Sequence, residues 1–206
     1  MKVIFAAGIA LLVMVGSASA EQRSLAGFTR VAARAGTDVE VTVGPAFRVE
    51  VVGRDAARVV TRVDGNELII EPMRGNWFQR GPRDAQVRVT MPNVEALSAS
   101  SGADLTATGI DSATLSLAAS SGADLRVSGR CGTFAANASS GSDIHAQSLR
   151  CENGGVDVSS GADARVYASG RLNVDASSGG GVIAHGDPSL GDVDLSSGGS
   201  IRRADG

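Results

Sequence analysis

The stretch "SSGAD" occupies residues 100–104, returns at 120–124, and recurs as "SSGSD" at 139–143 and "SSGAD" at 159–163. "SSGGG" at 177–181 and "SSGGS" at 196–200 complete the series. Successive copies start 20, 19, 20, 18 and 19 residues apart. A serine-rich linker has no reason to keep such a count, whereas a repeat architecture requires it.

The residues around each copy alternate. From Leu115 to Val127 the odd positions are Leu115, Leu117, Ala119, Ser121, Ala123, Leu125 and Val127, and the even ones are Ser116, Ala118, Ser120, Gly122, Asp124 and Arg126. Period two is the mark of an extended chain with one buried face. Read straight through the SSG, it places Ser101, Ser121, Ser140, Ser160, Ser178 and Ser197 inside, as a buried ladder whose hydroxyls must find partners. Between the units lie "TGIDSAT", "SGRCGT", "QSLRCENGG", "YASGR" and "HGDPSLGD", which carry the Gly, Asn, Asp and Pro chemistry of turns. The pattern predicts an all-β chain: a single-stranded parallel β-solenoid (β-helix) with about 18–20 residues per coil and rungs about 4.8 Å apart.

Working outward, residues 21–95 form a less regular N-terminal β region and residues 96–203 the regular coils. "DVEVTVG", "FRVEVVG", "RVVTRVDGNELII" and "AQVRVTMP" read as strands, and degenerate first coils or a short antiparallel cap are equally open. Residues 1–20 read as a signal peptide: Lys2, an apolar run, then Ala18-Ser19-Ala20 as a small-x-small cleavage site. That leaves 21–206 as one domain with no membrane span. Lys2 is the only lysine, so this domain sets 18 arginines against 22 acidic residues. Such mild acidity excludes the basic stripe a nucleic-acid partner needs. Aromatics make up 3% of the chain, so the core must be thin and built from small side chains.

On the "F-x-R-V" opening at Phe28, "DGNELII", "VTMP", the SSG-Asp-apolar repeats, "HGDPS" and the closing "DLSSGGSI", the chain resembles the putative autotransporter adhesin, head GIN domain family over residues 26–203. The resemblance implies an exported β-helical domain with no established biochemical activity. An autotransporter also carries a C-terminal membrane barrel of many alternating strands, which the residues up to "RRADG" do not contain. The resemblance therefore informs fold more than function.

Candidate functional residues fall into three groups. Asp104, Asp124, Asp143 and Asp163 share one outward offset on four coils, with Arg126, His145 and Arg165 two residues further on. Aspartates one rung apart repel by about 0.9 kcal/mol per pair in water, and the adjoining row supplies the opposite charge. A calcium ion wants six or more oxygens and the row offers few per rung, so no metal and no cofactor is expected. The second group is the loop with Arg74, Trp77, Phe78, Arg80 and Arg83, which reads either as a sugar- or protein-binding segment or as a cover over the core's end. The third is Cys131 and Cys151, which lie 11 and 12 positions after the first Ser of their repeats. Stacked on adjacent coils they fit a disulfide.

His145 and His185 sit two coils apart on outward positions and no G-x-S-x-G elbow is present, which disfavours a Ser-His-Asp hydrolase. The sequence reading is thus an exported binding or adhesion-type solenoid without catalytic activity, in the periplasm or at the surface of a bacterium. Its flat repetitive wall meets a cell-envelope protein or glycan. An envelope structural or self-assembling solenoid is the alternative, and a polysaccharide-active β-helix enzyme comes third.

Overall fold

The second serine of every SSG has a left-handed backbone, with φ of 55° at Ser101, Ser121 and Ser160, 56° at Ser140, 50° at Ser178 and 48° at Ser197. The following glycine is left-handed as well, from 66° at Gly141 to 82° at Gly198. At the first copy the Ala103 amide donates to the Ser100 carbonyl at 3.3 Å. Two consecutive positive φ values closed in this way define a type I′ turn. The SSG is therefore a corner, and all six second serines are exposed. The expected buried serine ladder is wrong for this reason. The corner takes two residues, an even number, so alternation resumes in phase on its far side. Corners stack: Gly102, Gly122, Gly141, Gly161 and Gly179 each donate an amide to the second serine of the next coil at 3.1–3.2 Å.

The computed structural model describes residues 20–73 and 84–204. Residues 1–19 of the expected signal peptide lie outside the described residues, and so do Arg74, Trp77, Phe78, Arg80 and Arg83. Two walls face one another across the core. Wall A, which follows each corner, runs in the order β1 (Ala20–Arg23), β4 (Arg48–Val52), β7 (Gln86–Met91) and β3 (Asp38–Val43). It continues through the first halves of β9 (Asp104–Ser120), β10 (Asp124–Ser139) and β11 (Asp143–Ser159), then β12 (Asp163–Ala168), β14 (Gly181–His185) and β16 (Ser200–Arg203). Wall B begins with β5 (Val59–Asp64), β6 (Glu67–Pro72), β2 (Arg30–Arg34) and β8 (Ala96–Ser100). The second halves of β9 to β11 follow, then β13 (Arg171–Ala176) and β15 (Ser189–Leu195).

The solenoid coils are parallel and in register. β9, β10 and β11 keep pairing right through the bend opposite the corner, with a register shift between Val127 and Gly129. The pieces "TGIDSAT", "SGRCGT" and "QSLRCENGG" are thus bent strand, not the free turns their composition suggests. In the N-terminal region both open readings are realised. β2 and β3 form a true coil around a corner at Ala35 (φ 54°) and Gly36 (φ 72°), and β6 and β7 stack outside it in parallel. β1, β4 and β5 pair antiparallel beyond them.

Inward rows fill the space between the walls. Val31, Leu97, Leu117, Ala136, Val156 and Val174 are in register on wall B, and all are buried. The row nearest the corner is smaller: Ala33, Ala99, Ala119, Ala138, Val158 and Ala176. A two-residue corner brings the walls too close for leucine there. Thr37 and Ser142 are the buried polar side chains among the described residues, both at the fourth corner position. The Thr37 hydroxyl donates to the Arg34 carbonyl at 3.1 Å, and Ser142 Oγ accepts from the Ser139 amide at 3.2 Å. Both hydroxyls thereby avoid the cost of an unpaired buried group.

The corner geometry carries a prediction. Ser140→Val puts a β-branched side chain at φ 56°, where it is a genuine outlier. It should cost about 1–2 kcal/mol. Ser140→Gly removes the strain and should melt at or slightly above the wild-type temperature. Thermal melts ranking the two variants the other way would refute the turn assignment.

Candidate functional site

Strand register brings Asp38, Asp104, Asp124, Asp143 and Asp163 into one row on the outside of wall A, followed by Gly181 and Ser200. Asp38 was missed in the sequence. Its signal is "RAGTD" at 34–38, a corner with the same Gly and Asp offsets as "SSGAD". Beside this row runs a second one: Glu50, Arg88, Glu40, Thr106, Arg126, His145, Arg165, Ile183 and Arg202.

The two rows interact. Arg126 lies 3.4 Å from Asp124 and 3.9 Å from Asp104, so one guanidinium serves two rungs. Arg88 reaches Glu40 at 3.5 Å. Arg165 Nη1 donates to His145 Nδ1 at 3.2 Å, which places the neutral ring's proton on Nε2. The ligand atoms of Asp124, Asp143 and His145 lie within 4.8 Å of one another, a spacing a cation can use. Arg126 and Arg165 already bring positive charge to that place. Two carboxylates and one imidazole also fall short of the oxygen count calcium prefers.

The carboxyl of Asp104 titrates above the usual carboxylate range, because partial burial and then the charges of Asp124 and Asp38 outweigh Arg126. A raised acid pKa means that the folded state holds more protons than the unfolded chain between the two values. Stability from this group is therefore present below the folded pKa and declines as pH rises through the window above 3.8. The side chain is half exposed, so solvent screening limits the effect to a few tenths of a kcal/mol. Asp104→Asn should raise the neutral-pH melting temperature by about 1 °C and flatten its dependence on pH in the window just above 3.8. A lower melting temperature for the variant would contradict this account.

Wall B carries a second acidic row. Asn137, Asp157, Asp175 and Asp194 are in register, with Asn173 and Asp192 on the adjoining outward positions. They border an open trough of about 570 Å³ floored by Ala135 and Gly155. The signal was present as "VDVSS", "VDASS" and "VDLSS" at 156, 174 and 193, a repeated Asp just before the serines. Acid thus moves from wall A to wall B along the solenoid, as wall A turns basic at Arg165 and Arg202. Cys131 and Cys151 are in register on β10 and β11 and form the expected disulfide, with Cα atoms 4.5 Å apart.

Known proteins share this geometry. A crystal structure of a putative adhesin from Bacteroides fragilis superposes with a TM-score of 0.71 at 12% identity, covering 92% of this chain and 98% of its own. A putative lipid binding protein from Parabacteroides distasonis gives 0.53 at 14% identity, covering 93% and 98%. A putative adhesin from Parabacteroides merdae gives 0.53 at 10%, with the same coverage. At these identities the likeness is one of fold. No curated protein matches the chain. The family model for "putative auto-transporter adhesin, head GIN domain" matches residues 27–188. The chain belongs to that family.

Proposed function

We propose that the protein is an exported, non-catalytic binding domain that engages a cell-envelope protein or glycan through the outer face of wall A. The family and its structural neighbours support a binding or adhesion role, and the disulfide supports an oxidising compartment, the periplasm or the cell surface. Residues 1–20 act as the signal peptide and 21–206 as one domain. The observation that carries the reading is the pair of in-register charged ladders. Asp104, Asp124, Asp143 and Asp163 with Arg126, His145 and Arg165 repeat their donors and acceptors at the strand spacing of about 4.8 Å. A rigid array of this kind suits an extended, periodic ligand. Its carboxylates stand on an exposed, open face beside arginines, unlike the enclosed recess in which a paired general acid and base work. The segment with Arg74, Trp77, Phe78, Arg80 and Arg83 is a second candidate contact.

The exported protein should be applied to a glycan array and to solubilised envelope fractions, beside a variant carrying Arg126→Glu and Arg165→Glu. Binding by the wild type and its loss in the variant, with the melting temperature held within about 3 °C, supports the reading. Equal retention of the two proteins places the contact elsewhere.

A further inference from the structure

The two ends of the solenoid differ. At the N-terminal end the crossing between β4 and β5, with its 3-10 turn Ala56–Arg58, closes the stack. Phe28 packs against Phe47 with ring centroids 4.9 Å apart, and Phe28, Val49, Val51, Ala56 and Val59 are buried. Among the described residues, no such cover lies over the C-terminal end. β15 bonds only to β13 and β16 only to β14 among the described residues. Leu190 (40% exposed), Val193 (40%) and Leu195 (45%) continue the buried column of Leu172, Val174 and Ala176 into solvent. On wall A the matching inward position is taken by Arg203, which is held aside by Asp187 at 2.6 Å and the Pro188 carbonyl at 3.0 Å. What remains is an apolar strip between two open strand edges, an arrangement that invites strand addition.

We propose that this end docks on the same end of a second copy. The two molecules pack tail to tail about a two-fold axis parallel to the strands, so that β15 of each lies antiparallel to β16 of the other. Charge selects the occupant and the pairing. The last wall B strand presents Asp192 and Asp194 outward, and the last wall A strand presents Arg202. Stacking β15 on β15 would set four carboxylates on one face, and β16 on β16 would set arginine against arginine. The crossed arrangement places Arg202 of one copy beside the Asp192–Asp194 edge of the other, twice, and lays Ile201 over the apolar strip. A two-fold contact uses one surface on both copies and closes. Among the described residues the covered N-terminal end offers no apolar strip to continue a head-to-tail stack, so the product is a dimer rather than a fibre. This inference is independent of the reading of wall A.

Sedimentation velocity of the exported protein over a concentration series tests it. The wild type should dimerise below about 100 μM, and Val193→Asp should abolish the dimer. Asp194→Arg and Arg202→Asp, both at exposed positions, should each weaken it at least about tenfold (1.4 kcal/mol). Combining the two should restore affinity to within about threefold of wild type. A wild type that stays monomeric at about 100 μM, a dimer that survives Val193→Asp, or a combined variant as weak as the single ones overturns the proposal. Circular dichroism of Arg202→Asp, a change at an exposed position of the last strand, separates lost docking from lost folding.

Discussion

Replacing Gly129 with alanine is expected to lower stability by about 2–5 kcal/mol. The backbone there has φ 135°, in the region that L side chains avoid, and that conformation alone costs about 1–2 kcal/mol. Space costs more. An added Cβ would overlap the carbonyl oxygen of Ile110 and come within 2.5 Å of its nitrogen and 2.8 Å of its Cα. All three atoms are backbone of the neighbouring coil, and coils held at the hydrogen-bonding distance cannot part locally without breaking rungs. Forcing extra volume into such a place costs a further 1–3 kcal/mol or so. In a chain of this length the sum lowers the melting temperature by about 4–20 °C. Gly122→Ala is the control: its φ is 69° and an added Cβ meets nothing within 4 Å. It should cost only the conformational part, about 1–2 kcal/mol. Equal losses in the two variants would show that the bend at β9 and β10 is softer than its register shift suggests.

Gly129 also shows where the sequence is silent. In "VSGRCGT" its glycine reads as turn chemistry, yet the strand stays paired across it. Composition reports local flexibility and says nothing of the neighbouring coil, which supplies the missing hydrogen-bond partners. The solenoid itself was legible because identical offsets in six copies have no purpose except stacking. The corner was not, since a two-residue turn leaves odd–even alternation unbroken and so imitates a straight strand. Serine at positive φ is also uncommon enough to argue against the true answer. In the site, the wall A ladders follow directly from the repeat count. Asp38 escaped because its copy lies 66 residues upstream of Ser100's, beyond an excursion that pairs partly antiparallel. The wall B aspartates escaped because their repeat begins only at Asp157, after the SSG motif has already claimed attention. The asymmetry of the two ends depends on which coil lies last in space, and β6 and β7 stack outside β2 and β3 although they follow them in sequence.

Loss of the Cys131–Cys151 disulfide should cost about 3 kcal/mol, the loop-closure entropy of a crosslink spanning 20 residues. The native state has little to lose directly. The two residues already sit in register between Ser112 and Ala168 in the same column, with Cα atoms 4.5 Å apart, and backbone rungs on both sides hold them there. The crosslink acts instead on the unfolded chain, which it keeps from separating one coil from the next. Its thermodynamic signature follows from that location. In Cys131→Ser combined with Cys151→Ser, the urea midpoint should fall while the dependence on denaturant steepens, because the freed unfolded chain exposes more surface. The melting temperature should drop by about 6–12 °C. Serine matches Ser112 of the preceding coil and fills nearly the volume of cysteine, so cavity formation at the buried Cys151 contributes little. A fallen midpoint with an unchanged slope would move the effect into the folded state and mark the sulfur contacts themselves as the stabilising element. An unchanged midpoint would mean that the stacked rungs alone fix the register of these coils.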